Sequence, residues 1–282
     1  MSKPAWNPDD MPPLPPMTAM ALVRVAWRGG ILGLVTFSCL ALLLLVRLIE
    51  RPVFGQARPV TPFITQFVCR AAFVILGIKR RVIGEVMPHK GAIVANHSSW
   101  LDIFTLNASK RIYFVSKAEV AKWPGIGWLA RATGTVFIAR DPRQARIQKQ
   151  MFEDRLKAGH RLLFFPEGTS TDGKRVLTFK PTLFAAFFED ALREEMWIQP
   201  VSVIYHAPKG AEPRFYGWWG DMDFAPHLLS TLAAHRQGSV DVVYHPALKV
   251  GDFADRKALA AAAEAQVRAG LDSYLTDQTI AA

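Results

Sequence analysis

A histidine and a carboxylate five positions apart, in Asn96-His97-Ser98-Ser99-Trp100-Leu101-Asp102, form the pairing in this chain best suited to proton transfer. An apolar run, Gly91-Ala92-Ile93-Val94-Ala95, leads into it and reads as a buried strand. On one continuous helix, residues five apart lie roughly 140° apart around the axis, so a helical His97 and Asp102 would face different ways. The spacing works if His97 sits in the loop leaving the strand, Ser98 or Ser99 caps a helix, and Asp102 lies in that helix's first turn. Asp102 then accepts the Nδ1–H of His97, fixes its tautomer and leaves Nε2 to take a proton. No nucleophile accompanies the pair. There is no G-x-S-x-G elbow, and Cys39 and Cys69 sit in apolar segments where a thiolate is disfavoured. The proton therefore comes from a substrate.

A second polar stretch follows another apolar run. Leu162-Leu163-Phe164-Phe165 leads into Pro166-Glu167-Gly168-Thr169-Ser170-Thr171, which carries a glutamate, a glycine and three hydroxyls. Glycine permits close backbone approach, so this loop is able to present N–H groups and hydroxyls to a polar headgroup. Read alone, Pro-Glu-Gly is equally an ordinary turn, and His97 with Asp102 equally a core histidine tied to an acid for stability.

Both stretches need a scaffold that brings strand ends together. Short apolar runs at 93–95, 112–115, 136–138, 162–165, 201–204 and 240–243 alternate with helical patterns. Strands this apolar are covered on both faces, which predicts an α/β domain with a mixed, largely parallel sheet covered by helices. One helix has marked ends, with Asp141 as N-cap, Pro142 at the first position and Gly159 just past the last, and directs Ile147, Met151 and Leu156 at the core. The alanine-rich stretch 256–275 reads as a closing surface helix.

Ahead of this domain, residues 1–20 hold six prolines and read as an extended, weakly ordered tail. Residues 21–82 read as membrane-anchoring helices and 83–282 as the catalytic α/β domain. From Gly29 to Val46 no charge interrupts the chain. As a helix this run is about 27 Å long, close to the ~30 Å hydrocarbon core of a bilayer. Arginines on both sides leave its orientation open, and whether it spans or only inserts. A second apolar segment, 63–78, carries Gln66 and Arg70, which fits a re-entrant or interfacial helix with a snorkelling arginine. The chain has 34 basic and 24 acidic residues, a net charge of +10. Beside these apolar segments, and with no RNP-like pattern or basic recognition helix, that charge points to a membrane lipid partner and away from nucleic acid. Two cysteines at unrelated positions argue against a disulfide framework or a zinc site and favour a reducing, cytoplasmic face.

Four blocks stand in order: His97 with Asp102, Gly134-Thr135-Val136-Phe137-Ile138-Ala139-Arg140, Phe165-Pro166-Glu167-Gly168-Thr169, and Ile198-Gln199-Pro200-Val201-Ser202-Val203. Together they resemble the glycerolipid O-acyltransferases that include bacterial 1-acylglycerol-3-phosphate acyltransferase, over about 92–205. The resemblance implies that His97 is the general base for an acceptor hydroxyl and Asp102 its orienter. It implies direct attack on a thioester of acyl carrier protein or coenzyme A, with no metal, no other cofactor and no covalent acyl-enzyme. The residues agree with this chemistry, since an aliphatic alcohol needs a base, whereas a thiol of pKa about 8.5 leaves readily as thiolate. By position, Asn96, Arg140, Glu167, Gly168, Thr169, Ser170 and Lys180 belong to the acceptor site. The loop at Ser116-Lys117 is expected to supply N–H donors to the oxyanion.

The departures from the family pattern bear on the acceptor. Phosphate-binding members carry an arginine after Pro-Glu-Gly-Thr, where this chain has Ser170, and a glycine soon after the later lysine, where it reads Lys180-Pro181-Thr182. Arginine is the natural bidentate phosphate ligand. The form 165–173, with Arg175-Val176-Leu177 and Phe179-Lys180, is similar to the branch that O-acylates lyso-ornithine lipid and related aminolipids, whose acceptors carry a 3-hydroxyacyl amide. Phe215-Tyr216-Gly217-Trp218-Trp219-Gly220-Asp221-Met222-Asp223 looks like that branch too, with no chemical role legible in it. The favoured acceptor is a lyso-aminolipid, the alternative 1-acyl-sn-glycerol-3-phosphate, and the implied location the cytoplasmic face of a bacterial-type inner membrane. Two readings come from other classes. A metal-dependent hydrolase built on His97, Asp102 and Glu167 has no H-E-x-x-H or further histidine cluster behind it. A non-catalytic lipid-binding protein would keep the anchor and the basic surface without needing the pair.

Overall fold

The structure, a computed structural model, describes residues 11–138 and 145–280. Arg140, Asp141 and Pro142 lie outside the described residues. After an irregular 11–18, Thr18 opens helix α1 (Ala19–Phe54), its Oγ1 accepting from the Ala21 N–H at 3.3 Å. The helix runs 36 residues, about 54 Å, well beyond the uncharged 29–46 stretch, and stops at Gly55. It is long and apolar enough to cross a membrane. Leu34, Leu45, Leu48 and Ile49 are each more than 60% exposed, so this face is left uncovered by the described residues. Helix α2 (Thr61–Leu76) starts with Pro62 in its first turn and ends at Gly77.

Polar side chains in these apolar helices are bound to the ends of other helices. Arg24 Nε donates to the Ala233 carbonyl at 2.6 Å, and Arg28 to those of Leu232 and Ala234 at 2.9 and 2.7 Å, at the end of α7 (Phe224–Ala233). Arg70 donates to the Ala108 carbonyl at 3.0 Å, with Gln66 alongside, at the end of α3 (Leu101–Ser109). Terminal carbonyls lack partners within their own helix and carry the negative end of its dipole, so a cation there is favourable. Arg70 remains exposed while its Nε is held by this carbonyl. Glu50 does the reverse: its buried carboxylate accepts from the N–H groups of Val60 and Thr61 and from the Thr61 hydroxyl, at the start of α2.

The strands are β1 (Lys79–Ile83), β2 (Gly91–Ala95), β3 (Tyr113–Lys117), β4 (Val136–Ile138), β5 (Leu162–Phe164), β6 (Trp197–His206), β7 (Ser239–Tyr244) and β8 (Leu248–Lys249). They form a mixed sheet in the order β1-β7-β6-β2-β5-β3-β4, with β8 on β6. β6 is antiparallel to β7 and β8, and the other pairings are parallel. All six apolar runs are strands. β1 and β8 carried no such signal. β1, a charged edge strand, pairs with β7 through Arg81, whose guanidinium donates twice to Asp241 at 2.9 and 2.7 Å. The sheet thus begins at Lys79, inside the segment ascribed to the anchor.

β2 is buried on both faces. Ala92 and Val94 join a core with α5 (Ala145–Lys157), α8 (Arg256–Ile280) and the 3₁₀ segment Pro181–Phe188, while Ile93 and Ala95 join a core with α2, α3 and α7. In α5 the core face is set by Phe152 and Leu156, and Ile147, expected inside, is 70% exposed. Nine residues at about 100° each place Ile147 opposite Leu156. Helices α4 (Ile126–Ala132) and α6 (Asp190–Arg193) are short connections.

Replacing Glu50 with Ala strands the buried Thr61 N–H and hydroxyl, a loss of about 1–3 kcal/mol. The unfolding midpoint of the detergent-solubilised protein is expected to fall measurably. An unchanged midpoint would mean that apolar contact alone holds α1 to α2.

Candidate active site

β2 and β5 lie side by side and parallel, Val94 opposite Phe164, so the segments leaving their C-terminal ends meet. Asn96, the first residue past β2, has no exposed surface. Its side-chain oxygen accepts from the Val203 N–H at 2.8 Å and its side-chain NH₂ donates to the Val203 carbonyl at 2.9 Å, tying the end of β2 to β6. It secures the strand end and is not turned to a substrate, contrary to expectation.

His97 Nδ1 lies 2.7 Å from Asp102 Oδ2. An ionised carboxylate only accepts, which assigns the proton to Nδ1. Asp102 is in the first turn of α3 and wholly buried. Oδ2 also accepts from the N–H groups of Ser98 and Ser99 at 2.8 and 3.1 Å, and Oδ1 from the Tyr205 hydroxyl at 2.8 Å. The expected cap is thus largely inverted: the aspartate caps the loop, while Ser99 Oγ accepts only from the Leu101 N–H at 3.3 Å. Burial, then the charge of Asp102, pushes the Tyr205 phenol well above its usual range, so it remains a donor. The imidazole stacks on Phe165, ring centroids 4.0 Å apart and planes 10° apart. One-fifth of the His97 side chain is exposed, and no described residue bonds Nε2.

The β5 loop clamps the His97 backbone. Glu167 Oε1 accepts from the His97 N–H at 2.7 Å and Oε2 from the Leu177 N–H at 2.7 Å. Thr171 N–H donates to the His97 carbonyl at 2.8 Å, and Trp218 N–H to the Ser98 carbonyl at 2.8 Å. Glu167, expected at the acceptor, instead spends both oxygens on backbone and braces the histidine. The 215–223 segment gains a role as well. Gly217 has no space for a Cβ between the Trp219 ring and the Asp172 carbonyl, which lets the segment close over the Ser98 backbone. Burial pushes the Glu167 carboxyl up to about 8, opposed by the Leu177 and His97 N–H groups and aided by the charge of Asp102.

The remaining candidates share this edge of the sheet. Gly168, at φ 72°, leaves room for Lys180, whose ammonium comes too close for a Cβ to stand there. Thr169 is half-buried and Ser170 buried. Lys117 is exposed at the end of β3, but Ser116 and Lys117 pair with Phe137 and Ile138 of β4, so the expected loop of free N–H donors is strand. Tyr205 was not anticipated, nor were the bracing roles of Phe165, Thr171 and Trp218. The Val201, Val203, Tyr205 alternation puts the tyrosine on the α3 face, yet no local pattern pairs its hydroxyl with a carboxylate 103 positions earlier. Among the described residues, no three His, Cys, Asp or Glu side chains are grouped to hold a metal ion.

A protein-family model described as Acyltransferase matches residues 79–204. The chain is 59% identical over 271 residues to the lyso-ornithine lipid O-acyltransferase of Rhodobacter capsulatus, covering 96% of this chain and 98% of that one. It is 36% identical to the enzyme of the same name from Brucella abortus, over 80% and 86% of the two chains. Among solved structures it is similar to the 1-acyl-sn-glycerophosphate acyltransferase of Thermotoga maritima, with a TM-score of 0.57 and 21% identity over 88% of this chain and 97% of that one, a likeness of fold.

A carboxyl raised on folding from its usual 4.5 to about 8 binds more protons in the folded than in the unfolded chain between those values. The Glu167 contribution to stability is therefore complete below pH 4.5, declines as the pH rises towards about 8, and is level above. In Glu167→Gln that slope disappears. The amide NH₂ also opposes a backbone N–H, at a cost of about 1–3 kcal/mol. Unfolding midpoints across this range test both effects, and parallel slopes in the two proteins would remove Glu167 as the cause.

Proposed function

The chain belongs to the glycerolipid acyltransferase family, and from that premise we propose that it moves a fatty acyl group from a thioester to a lysolipid hydroxyl, with His97 as general base. The observation that carries this reading is an imidazole bonded through Nδ1 to a buried carboxylate while Nε2 has no described partner. In the proposed step, Nε2 takes the acceptor's hydroxyl proton as its oxygen bonds to the thioester carbonyl carbon. The carbon–sulfur bond then breaks and the sulfur leaves with the electron pair, as thiolate, which the proton on Nε2 can neutralise. Asp102 stabilises the transient imidazolium, and the hydrogen bonds to Asp102 keep the carboxylate in register. The donor is a thioester of acyl carrier protein or coenzyme A.

A lyso-aminolipid such as lyso-ornithine lipid is the acceptor we favour. Ser170, buried where phosphate-binding members place an arginine, offers no cation there, and the described cation beside Gly168 is Lys180. That suits a carboxylate-bearing headgroup better than a phosphate monoester. The relatives named lyso-ornithine lipid O-acyltransferases support the same choice. Lys117 at the same edge keeps 1-acyl-sn-glycerol-3-phosphate as the second reading. The apolar α1 supports a reaction at a membrane, in our reading the cytoplasmic face of a bacterial inner membrane.

The test is transfer by the purified full-length protein from labelled acyl carrier protein conjugate, offered lyso-ornithine lipid and lysophosphatidate in parallel. His97→Ala is expected to lower turnover by about 10²–10⁴-fold, with the aminolipid preferred by the parent enzyme. Transfer that survives His97→Ala would sink the general-base reading, and a preference for lysophosphatidate would reassign the acceptor.

A further inference from the structure

A cavity of about 590 Å³ opens at the edge of the sheet opposite His97. Its walls come from the link between α1 and α2 and from the turns that lead into β3 and β5. β2, β3 and β5 run parallel, so these are strand starts, whereas His97, Lys117 and Glu167 stand at strand ends. The first and last residues of β2 alone are about 13 Å apart. The cavity is thus a site separate from the candidate active site.

Arg58, Lys110, Arg111 and Arg161 line it, and among the described residues no carboxylate does. Glu50, in the same region, has both oxygens turned to the start of α2 and to Arg47. Among the described residues, none of the four cations forms an ion pair. Arg58 and Arg161 donate to the carbonyls of Ala132 and Met87 at 2.8 and 2.9 Å, and Arg111 lies 4.0 Å from the centre of the Phe63 ring. Burial first, and then the charges of Arg161 and Arg111, pull the Lys110 ammonium below its usual value. Phe54 and Phe63 line the same cavity and are more than half exposed, continuous with exposed Val53 and Val60. A concave cluster of cations edged by exposed apolar rings on the anchoring helices suits an amphiphile better than the convex surface of an acidic protein.

We propose that this cavity binds the phosphate headgroup of an anionic phospholipid from the surrounding bilayer, with its acyl chains along Phe54 and Phe63, as a seating lipid distinct from the substrate.

The experiment uses the full-length protein in detergent, titrated with dihexanoyl phosphatidylglycerol, dihexanoyl phosphatidylcholine and inorganic phosphate. Phosphatidylglycerol is expected to bind saturably, and the other two at least tenfold more weakly, one because its choline meets the cations and the other because it lacks the chains. The double variant Lys110→Gln/Arg111→Gln should weaken phosphatidylglycerol at least tenfold while leaving the lipid-free melting midpoint and His97-dependent acyl transfer unchanged. Phe54→Ser should weaken phosphatidylglycerol and not inorganic phosphate. Undiminished phosphatidylglycerol binding by the double variant would overturn the proposal. So would inorganic phosphate binding as tightly as the lipid, or binding of acyl carrier protein that the double variant loses. Acyl transfer is read separately on the same proteins, so failure here is distinguishable from failure of the enzymatic reading.

Discussion

A charged carboxylate with no exposed surface must be met by hydrogen-bond donors or it destabilises the fold by several kcal/mol. Asp102 is such a group, and the local architecture follows from satisfying it. Two donors are the N–H groups of Ser98 and Ser99, which makes the chain wrap tightly into the start of α3. A third, the Tyr205 hydroxyl, requires β6 to pass beneath that turn. The fourth is His97 Nδ1. The imidazole is therefore oriented as part of the solution to a burial problem, and Phe165 holds its plane.

Two buried carboxyls share this site and do different work because their donors differ. Asp102 is bonded to an imidazole and a phenol as well as to backbone, and it orients a ring. Glu167 is bonded to backbone N–H groups and positions the main chain that carries the ring. Burial, aided by the charge of Asp102, pushes the Glu167 carboxyl up to about 8 against those N–H groups and the charge of Arg268. Both sides of the clamp on His97, Glu167 on its N–H and Thr171 on its carbonyl, come from the loop after β5. They exist because β5 is the parallel neighbour of β2.

The apolar helices at the N-terminus are joined to the catalytic domain by the same kind of accounting. Several of their polar groups lie at helix ends: Arg24 and Arg28 on the carbonyls of α7, Arg70 on that of α3, Glu50 on the N–H groups of α2. Their exposed face is left apolar. Because α3 carries Asp102 and α7 follows the segment that braces Ser98, the anchor contacts the elements that form the site.

What the amino-acid order determines is local. Apolar runs of three or four residues marked six strands, and the five-residue spacing of His97 and Asp102 ruled out one shared helix and fitted a loop entering a helix. Both depend on neighbours within a turn or a pleat. Four ordered motifs were enough to identify the family. Tertiary structure decided which polar residues face the substrate side and which face the chain. Asn96 and Glu167 have the types and positions of ligands, and both prove to be braces, because Val203, His97 and Leu177 supply the partners. Strand β1 is a strand because β7 pairs with it, and Ile147 is outside because Phe152 and Leu156 take the core face of α5. Tyr205 reaches Asp102 across 103 positions. Such bonds depend on which strand ends become neighbours, a property of the sheet order that no short window of sequence contains.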